Sequence, residues 1–397
     1  VSARGLIAAA LISAALPIGS ARAEELALTV GAGVTIAASA TDQNGASFTI
    51  AGMSGVAYAG PVGDGAHAFW VVLDNSDKLV LLHVRFAGTG AVSSAAVVRG
   101  LRLADVLDFE DIAITSAGTA LLVEEGTPSI REYNLTSGAF VRAIAPPAVF
   151  SNRRANFGFE SLTLATPASS AWTANEEALT PDGPLSTAIA GSVVRLLQLQ
   201  MPGGVAQGQF AYRTEAMHGP VIGGGRSGLS ALVQLPSRRL IALERSLAAT
   251  VPPFLSRFYE VTVDGATDVS GLPALASATY TAVSKRLLLS TGQTNLEGLC
   301  LGPRLDSGGY VMLGVVDDAD PISVNRVVSF VITGPVAAAC RADINGDGFI
   351  DFFDFDDFVS CFEGSACPAG TDADFNADGF VDFFDFDDFV AAFEVGC

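Results

Sequence analysis

One pattern recurs five times between residues 50 and 320, and it narrows the folds this chain can adopt. A short apolar run is led in by a small, polar or acidic cluster: Ser54-Gly-Val, Phe109-Glu110-Asp111-Ile, Phe159-Glu160-Ser161-Leu, Gly228-Leu-Ser230 and Leu296-Glu297-Gly298-Leu. A second run follows each and ends in charge, at Asp74, Glu124-Glu125, Glu176-Glu177, Glu244-Arg245 and Asp317-Asp318. Further runs fit between, such as Phe258–Val263 and Arg286–Ser290. Turn residues bound the runs and almost no stretch has helical period, so the region reads as all-β. Units of four short strands repeated every 50 to 70 residues or so describe a β-propeller of five or six blades. A sixth blade would have to lie in 24–50 or inside the longer later units. A β-sandwich explains the strands but not the repeat.

Glu110, Glu160 and Glu297 hold equivalent places at the mouths of apolar first strands, followed by Ile112, Leu162 and Leu299. A carboxylate beside buried strands is costly unless it is paired or bound to metal. First strands line the channel of a propeller, so these acids would repel one another and raise each other's pKa. Calcium, a hard divalent cation that takes oxygen ligands, is the natural neutraliser. The alternative is that the acids cap turns or pair with Arg131, Arg153, Arg154 and Arg245.

The end of the chain carries a different repeat. Residues 342–364 align with 373–395 at 17 of 23 positions. Each copy has the oxygen spacing of a calcium loop: Asp343, Asn345, Asp347, Asp351 and Asp354 in the first, and Asp374, Asn376, Asp378, Asp382 and Asp385 in the second. Phe349 and Phe380 stand where the loop offers a backbone carbonyl, and Gly348 and Gly379 where it must turn sharply. Ile350 and Val381 are expected to face inward. The twelfth residue is Asp and a helix follows each loop, a pattern that resembles dockerins, the small modules that attach secreted enzymes to cohesins. The likeness covers about 340–397 and extends to Phe- and Asp-rich tails ending in Gly-Cys. Phe352, Phe355, Phe358 and Phe362 share one helical face and are expected in the core. Phe353 and Phe384 fall off that face and are expected to form an exposed apolar patch. They stand where dockerins place Ser or Thr for the partner, so a cohesin-like protein and another cell-surface protein are both open as partners.

Most of the charge sits in this tail. Thirteen Asp, two Glu and one Arg lie in 340–397 of a chain with formal net charge −20. Such local acid opposes compaction without a cation. Lys78 and Lys285 are the only lysines and the arginines are scattered, so no nucleic-acid surface is formed. Arg4, the apolar run Leu6–Leu16 and Ala21-Arg22-Ala23 have the order of a secretory signal peptide, with cleavage expected after Ala23. The mature chain is then expected to be secreted, periplasmic or at the cell surface, with no membrane span. In such a compartment Cys340, Cys361, Cys367 and Cys397 can pair in three ways. The favoured pairing is Cys361–Cys367 with Cys340–Cys397, which ties the two ends of the module together. Cys300 reads as a buried free thiol. The expected organisation is signal peptide 1–23, propeller 24–333, linker 334–341 and calcium module 342–397.

Seven short motifs in order carry a family resemblance. They are Asp108-Phe-Glu110-Asp111-Ile-Ala, Glu124-Glu125 with Pro128, Asn156-Phe-Gly-Phe-Glu160-Ser-Leu, Glu177-x-Leu179, Gly228-Leu-Ser230, Leu243-Glu244-Arg245-Ser246 and Asn295-Leu-Glu297-Gly298. Over most of 50–332 the chain resembles the phytase-like domain, also described as esterase-like activity of phytase. It departs at Phe157, where the family motif has Arg, and at Ala231, where an acid is usual. The resemblance implies hydrolysis of phosphomonoesters or phosphodiesters. Glu110, Glu160, Glu244 and Glu297 are then the expected holders of one or more cations that polarise phosphate and activate water. Arg154, Arg245 and Lys285 are the expected phosphate clamps, and Glu125 and Glu177 further acid/base groups. A non-catalytic propeller that binds an anionic ligand or a partner protein is the second reading. No G-x-S-x-G elbow is present, and His67, His83 and His218 are isolated. Gly223-Gly224-Gly225 opens no helix and is no nucleotide fingerprint.

Overall fold

The computed structural model describes residues 25–165, 169–223, 225–318, 322–336, 341–344, 350, 352–365, 367, 371–376 and 378–395. Five four-stranded antiparallel sheets form a five-bladed propeller. The inner strands are Met53–Val62, Phe109–Ile114, Phe159–Leu164, Ser227–Gln234 and Leu296–Arg304, in blades 1 to 5. Each of the five recurring clusters therefore marks an inner strand. No sixth blade occurs among the described residues. Ala27–Thr35 pairs with Arg326–Thr333 as the outermost strand of blade 5, which closes the ring. A hairpin, Ser39–Thr41 with Ser47–Thr49, lies against blade 1, where Asp42 accepts from Arg102 Nε at 2.7 Å.

Alternation within the strands puts Val, Leu, Ile and Phe on both faces of each blade, and neighbouring blades share those faces as a core. Val56, Phe69, Val71, Leu313, Val315 and Val327 pack between blades 5 and 1. Phe258, Phe330, Leu243 and Leu299 pack between blades 4 and 5. The five interfaces leave only the two ends of the channel for function.

In every blade the pairing of the inner with the second strand slips by one residue at the same point. The slips lie between Met53 and Gly55, Phe109 and Asp111, Phe159 and Ser161, Leu229 and Ala231, and Leu296 and Gly298. The unpaired residues are Ser54, Glu110, Glu160, Ser230 and Glu297. A bulge of this kind re-aims a side chain and is common beside functional sites. Directly beyond it the channel is closed by small residues. A Cβ on Gly55 would meet Asp111 Oδ1 at 2.4 Å, and one on Gly298 would meet Ser54 O at 2.4 Å. Asp111 accepts from Ile112 N at 2.8 Å and Leu162 N at 2.7 Å, so one buried carboxylate ties the inner strands of blades 2 and 3 together.

In the tail, helices α1 (Phe352–Phe362) and α2 (Phe383–Val395) enclose Phe358 and Phe389, whose rings stack at 3.9 Å. Ala342, Ile344, Cys361 and Ala373 complete this small core. The Cys361–Cys367 disulfide is present, and Cys300 is a free, half-buried thiol. Cys340 and Cys397 lie outside the described residues, as does the signal-peptide stretch. Phe353 and Phe384 are 70% exposed, as their position off the apolar face requires. Phe352 is exposed too, against expectation, because it opens the helix and has no preceding turn to pack on. Val381 is also exposed rather than inward, whereas Ile350 is half-buried. No helix among the described residues is long and apolar enough to cross a membrane.

Candidate functional site

Four of the five bulged residues, all but Ser230, meet at the channel mouth with residues from the ends of the second strands. Before each bulge an inner-strand residue pairs with a second-strand residue: Met53 with Leu73, Phe109 with Glu124, Phe159 with Asn175, Leu229 with Glu244, Leu296 with Val316. The residue after each partner is Asp74, Glu125, Glu176, Arg245 or Asp317. All five line the same cavity of about 280 Å³, with Ser54, Glu110, Glu160, Glu297, Asp108, Asn75, Asn156, Phe157 and Arg226. The floor of small residues makes it blind. A separate space of about 800 Å³, walled mainly by apolar side chains such as Val56, Ile112, Leu162 and Leu299, lies beyond the floor.

Eight carboxylates and two guanidiniums thus face one small volume. Burial pushes the Glu110 carboxyl well above its usual range, with Asp108, Glu125 and Asp74 adding to the effect and the Ser54 hydroxyl, 2.6 Å away, opposing it. Glu160 is likewise raised by burial, then by Glu110, Glu176, Glu125 and Glu297. Burial takes Glu125 up to about 7, against the Gly158 N–H it accepts at 2.7 Å. Glu297 goes to about 8 through burial, although Arg245 pulls the other way. Arg245 keeps its charge despite burial because Glu297, Glu176 and Glu160 surround it. It donates to Glu176 at 3.0 Å, to Asn295 at 2.7 Å and to Glu297.

Arg245 serves one side of the cavity and leaves the other bare. On that side, one carboxylate oxygen from each of Asp108, Glu110 and Glu125 lies within 4.8 Å of the other two. Asp108 Oδ1 is buried with no hydrogen-bond partner among the described residues. Three converging acids with an orphaned oxygen are an all-oxygen set that fits a hard divalent cation.

Glu110, Glu125, Glu160, Glu297 and Arg245 therefore come together as the sequence suggested. Four expected site residues do not. Glu244 is fully buried away from the cavity, accepting from Tyr212 Oη at 2.7 Å, Glu215 N at 2.8 Å and Lys285 Nζ at 2.6 Å. Successive strand residues face opposite ways, so Arg245 in the channel sends Glu244 to the other side. Lys285 is consumed there, its ammonium 4.2 Å from the Tyr259 ring centroid. Glu177 is buried against Ser186, whose N–H it accepts at 3.1 Å, and its neighbour Glu176 takes the channel place. Arg154 braces a loop through Ala178 O at 3.0 Å and Gly183 O at 2.8 Å. Asp74, Asp108, Glu176, Asp317 and Arg226 were missed as site residues. Superposing the five units would have found Glu176, since it and Glu125 both directly follow a second strand.

The second tail loop lies mostly within the described residues. Asp374 accepts from Asp378 N at 3.0 Å and Gly379 N at 2.9 Å, Asn376 from Asp378 N at 2.9 Å, and Asp378 from Phe380 N at 2.9 Å. Asp385 closes the turn, accepting from Asn376 N at 3.0 Å and Asp382 N at 2.8 Å, and these bonds hold its pKa down. Asp382 accepts from Phe384 N at 2.9 Å. Asp354 of the first loop is buried. Asn345, Asp347, Phe349 and Asp351 lie outside the described residues.

A family model for phytase-like proteins, described as esterase-like activity of phytase, matches residues 49–319. No curated protein matches the chain. Among solved structures, the chain is similar to an endo-arabinase from Bacteroides thetaiotaomicron, at 11% identity and TM-score 0.42 over 73% of this chain and 96% of that one. It is similar to PQQ-bound aldose sugar dehydrogenase from Streptomyces coelicolor, at 11% and TM-score 0.37 over 78% and 99%. It also matches Kuenenia stuttgartiensis hydrazine synthase, at 10% and TM-score 0.35 over 66% of this chain and 64% of that one. Similarity at this level carries no information on activity.

Proposed function

Because this chain belongs to the phytase-like family, we propose that its blind acid cavity hydrolyses phosphomonoesters or phosphodiesters. The observation that carries the reading is the bare triad of Asp108, Glu110 and Glu125 beside carboxyls poised as acids. Those three residues would hold a divalent cation, calcium being the first choice for an all-oxygen set. Such a cation supplies electrophilic polarisation of a phosphoryl oxygen and a lowered pKa for water. The chain's own groups do the rest. Ser54 fixes Glu110 through its hydroxyl. Glu160, kept protonated by burial and like charge, donates its proton to the departing ester oxygen as the bond from water to phosphorus forms. The proton lost by water passes to Glu176, whose pKa burial raises while Arg245 and Arg226 pull the other way. One water is consumed and one phosphorus–oxygen bond is exchanged for another.

The tail is proposed to bind two calcium ions through its duplicated loops and to tether or sort the exported enzyme through a cell-surface or cohesin-like protein. The inward wrapping of backbone N–H groups onto Asp374, Asn376 and Asp378 supports this. A second reading, a non-catalytic propeller that binds an anion or a partner, draws on the pairing of Arg245 with Glu176 and Glu297, which neutralises part of the site. Assays on aryl phosphate mono- and diesters, with calcium and with chelator, separate the two. Calcium-dependent turnover supports the hydrolase, and no turnover while calorimetry shows calcium bound supports the binder.

A further inference from the structure

We propose that Arg226, and not Arg245, is the residue that contacts the phosphate oxygens in the acid cavity, an assignment that rests on the phosphoester reading above. The two guanidiniums that line the cavity differ in what they have left to offer. Arg245 commits three of its five N–H donors, to Asn295 and to the carboxylates of Glu176 and Glu297, which neutralise its charge. Arg226 directly precedes the inner strand of blade 4 and lines the same cavity. Its Nη1 is tied to the carbonyl of Gly225 at 2.7 Å, which holds the group in place. Its buried Nε has no hydrogen-bond partner among the described residues. A buried charged donor without an acceptor is costly, and no carboxylate among the described residues forms an ion pair with Arg226 to offset it.

The ligand must bring oxygen acceptors and negative charge, and a guanidinium that lines the cavity with its second terminal nitrogen uncommitted among the described residues suits a phosphate oxygen. The cavity as a whole repels anions, so a phosphate enters only where positive charge is unspent. Of the two cavity guanidiniums, Arg226 forms no ion pair among the described residues, although its charge reaches Glu176, and the Asp108–Glu110–Glu125 triad is where a cation would supply the remainder.

The test is calorimetric titration of the full chain, in calcium, with inorganic phosphate. Arg226→Gln is expected to weaken phosphate binding by about 10- to 100-fold, the worth of a charged hydrogen bond, while calcium binding and melting temperature hold. Arg226→Lys keeps the charge without the fork and recovers part of the affinity. With an aryl phosphate, KM should rise more than kcat falls. If Arg226→Gln does not fold, Arg226→Lys is decisive: weaker phosphate binding supports the assignment and unchanged binding overturns it. Equal affinity in wild type and Arg226→Gln, or no phosphate binding by wild type in calcium, also overturns it. Phosphate binding through Arg226 without turnover of any ester leaves this assignment standing and removes the hydrolase; turnover indifferent to Arg226 does the reverse.

Discussion

At the channel mouth, carboxylates as far apart in sequence as Asp74 and Asp317 meet in one cavity; in the tail, Asp374 to Asp385 meet within twelve residues. The first group is assembled by topology. Every blade delivers a side chain from the end of its second strand, and all but blade 4 deliver one from the bulge, so the acids crowd together and burial pushes Glu110 and Glu160 up. The second group is assembled by the local turn. Backbone N–H groups point at the oxygens, and Asp385 is held down instead. In the cluster made by the fold, burial and like charge raise the carboxyls; in the one made by a loop, backbone N–H groups already engage the oxygens. The fold-made site can then use its raised carboxyls as acids, which the loop cannot.

The largest expected effect concerns the loops. Chelation of the full chain should abolish the far-ultraviolet helix signal of α1 and α2, because uncompensated acid opposes their packing, while the β signal of the blades remains. Retention of both helices in chelator would break the contrast from the tail side. In the cavity, Glu160→Gln should lower kcat by about 10²- to 10⁴-fold, as loss of a general acid does. The sign of its pH effect follows from the raised pKa: wild type keeps the acid form until pH climbs through that pKa, so activity falls on the alkaline side. In Glu160→Gln that alkaline limb should vanish from the residual rate, and a profile with the limb intact assigns the proton to another group.

The floor beneath the cavity gives a smaller effect. Asp111→Asn turns an acceptor of two backbone N–H groups into one that must oppose a donor to one of them. A loss of about 1–3 kcal/mol in denaturant unfolding is expected, with calcium affinity of the tail unchanged. The smallest effect belongs to the tail surface. Phe353→Ser with Phe384→Ser should leave stability within about 0.5 kcal/mol, since both rings are solvent-facing. A larger loss would mean that they pack after all.

The same contrast explains what could be read from the sequence. The exposure of Phe353 and Phe384 and the inner strand of every blade were legible because each depends on residues close in sequence. Blade count was left between five and six because closure depends on Ala27–Thr35 pairing with a strand about three hundred residues away. Two of the four stray site residues missed by a single step, while Arg154 and Lys285 are taken up by a loop and a buried ion pair. Glu177 was chosen over Glu176 and Glu244 kept beside Arg245, since strand ends show charge but not which of two neighbours turns into the channel. Asp108 and Arg226 sit just outside strands, where no periodicity marks them.

The central claim is that the channel mouth is a cation-loaded phosphoester hydrolase site. The direct measurement is turnover of an aryl phosphate against calcium concentration, using full-length chain with both tail loops silenced by Asp343→Ala and Asp374→Ala. Calcium-dependent turnover is expected, reduced at least ~100-fold by Glu110→Gln, with one calcium site lost in calorimetry. Calcium bound at the channel with no turnover, or turnover that Glu110→Gln leaves intact, would contradict it.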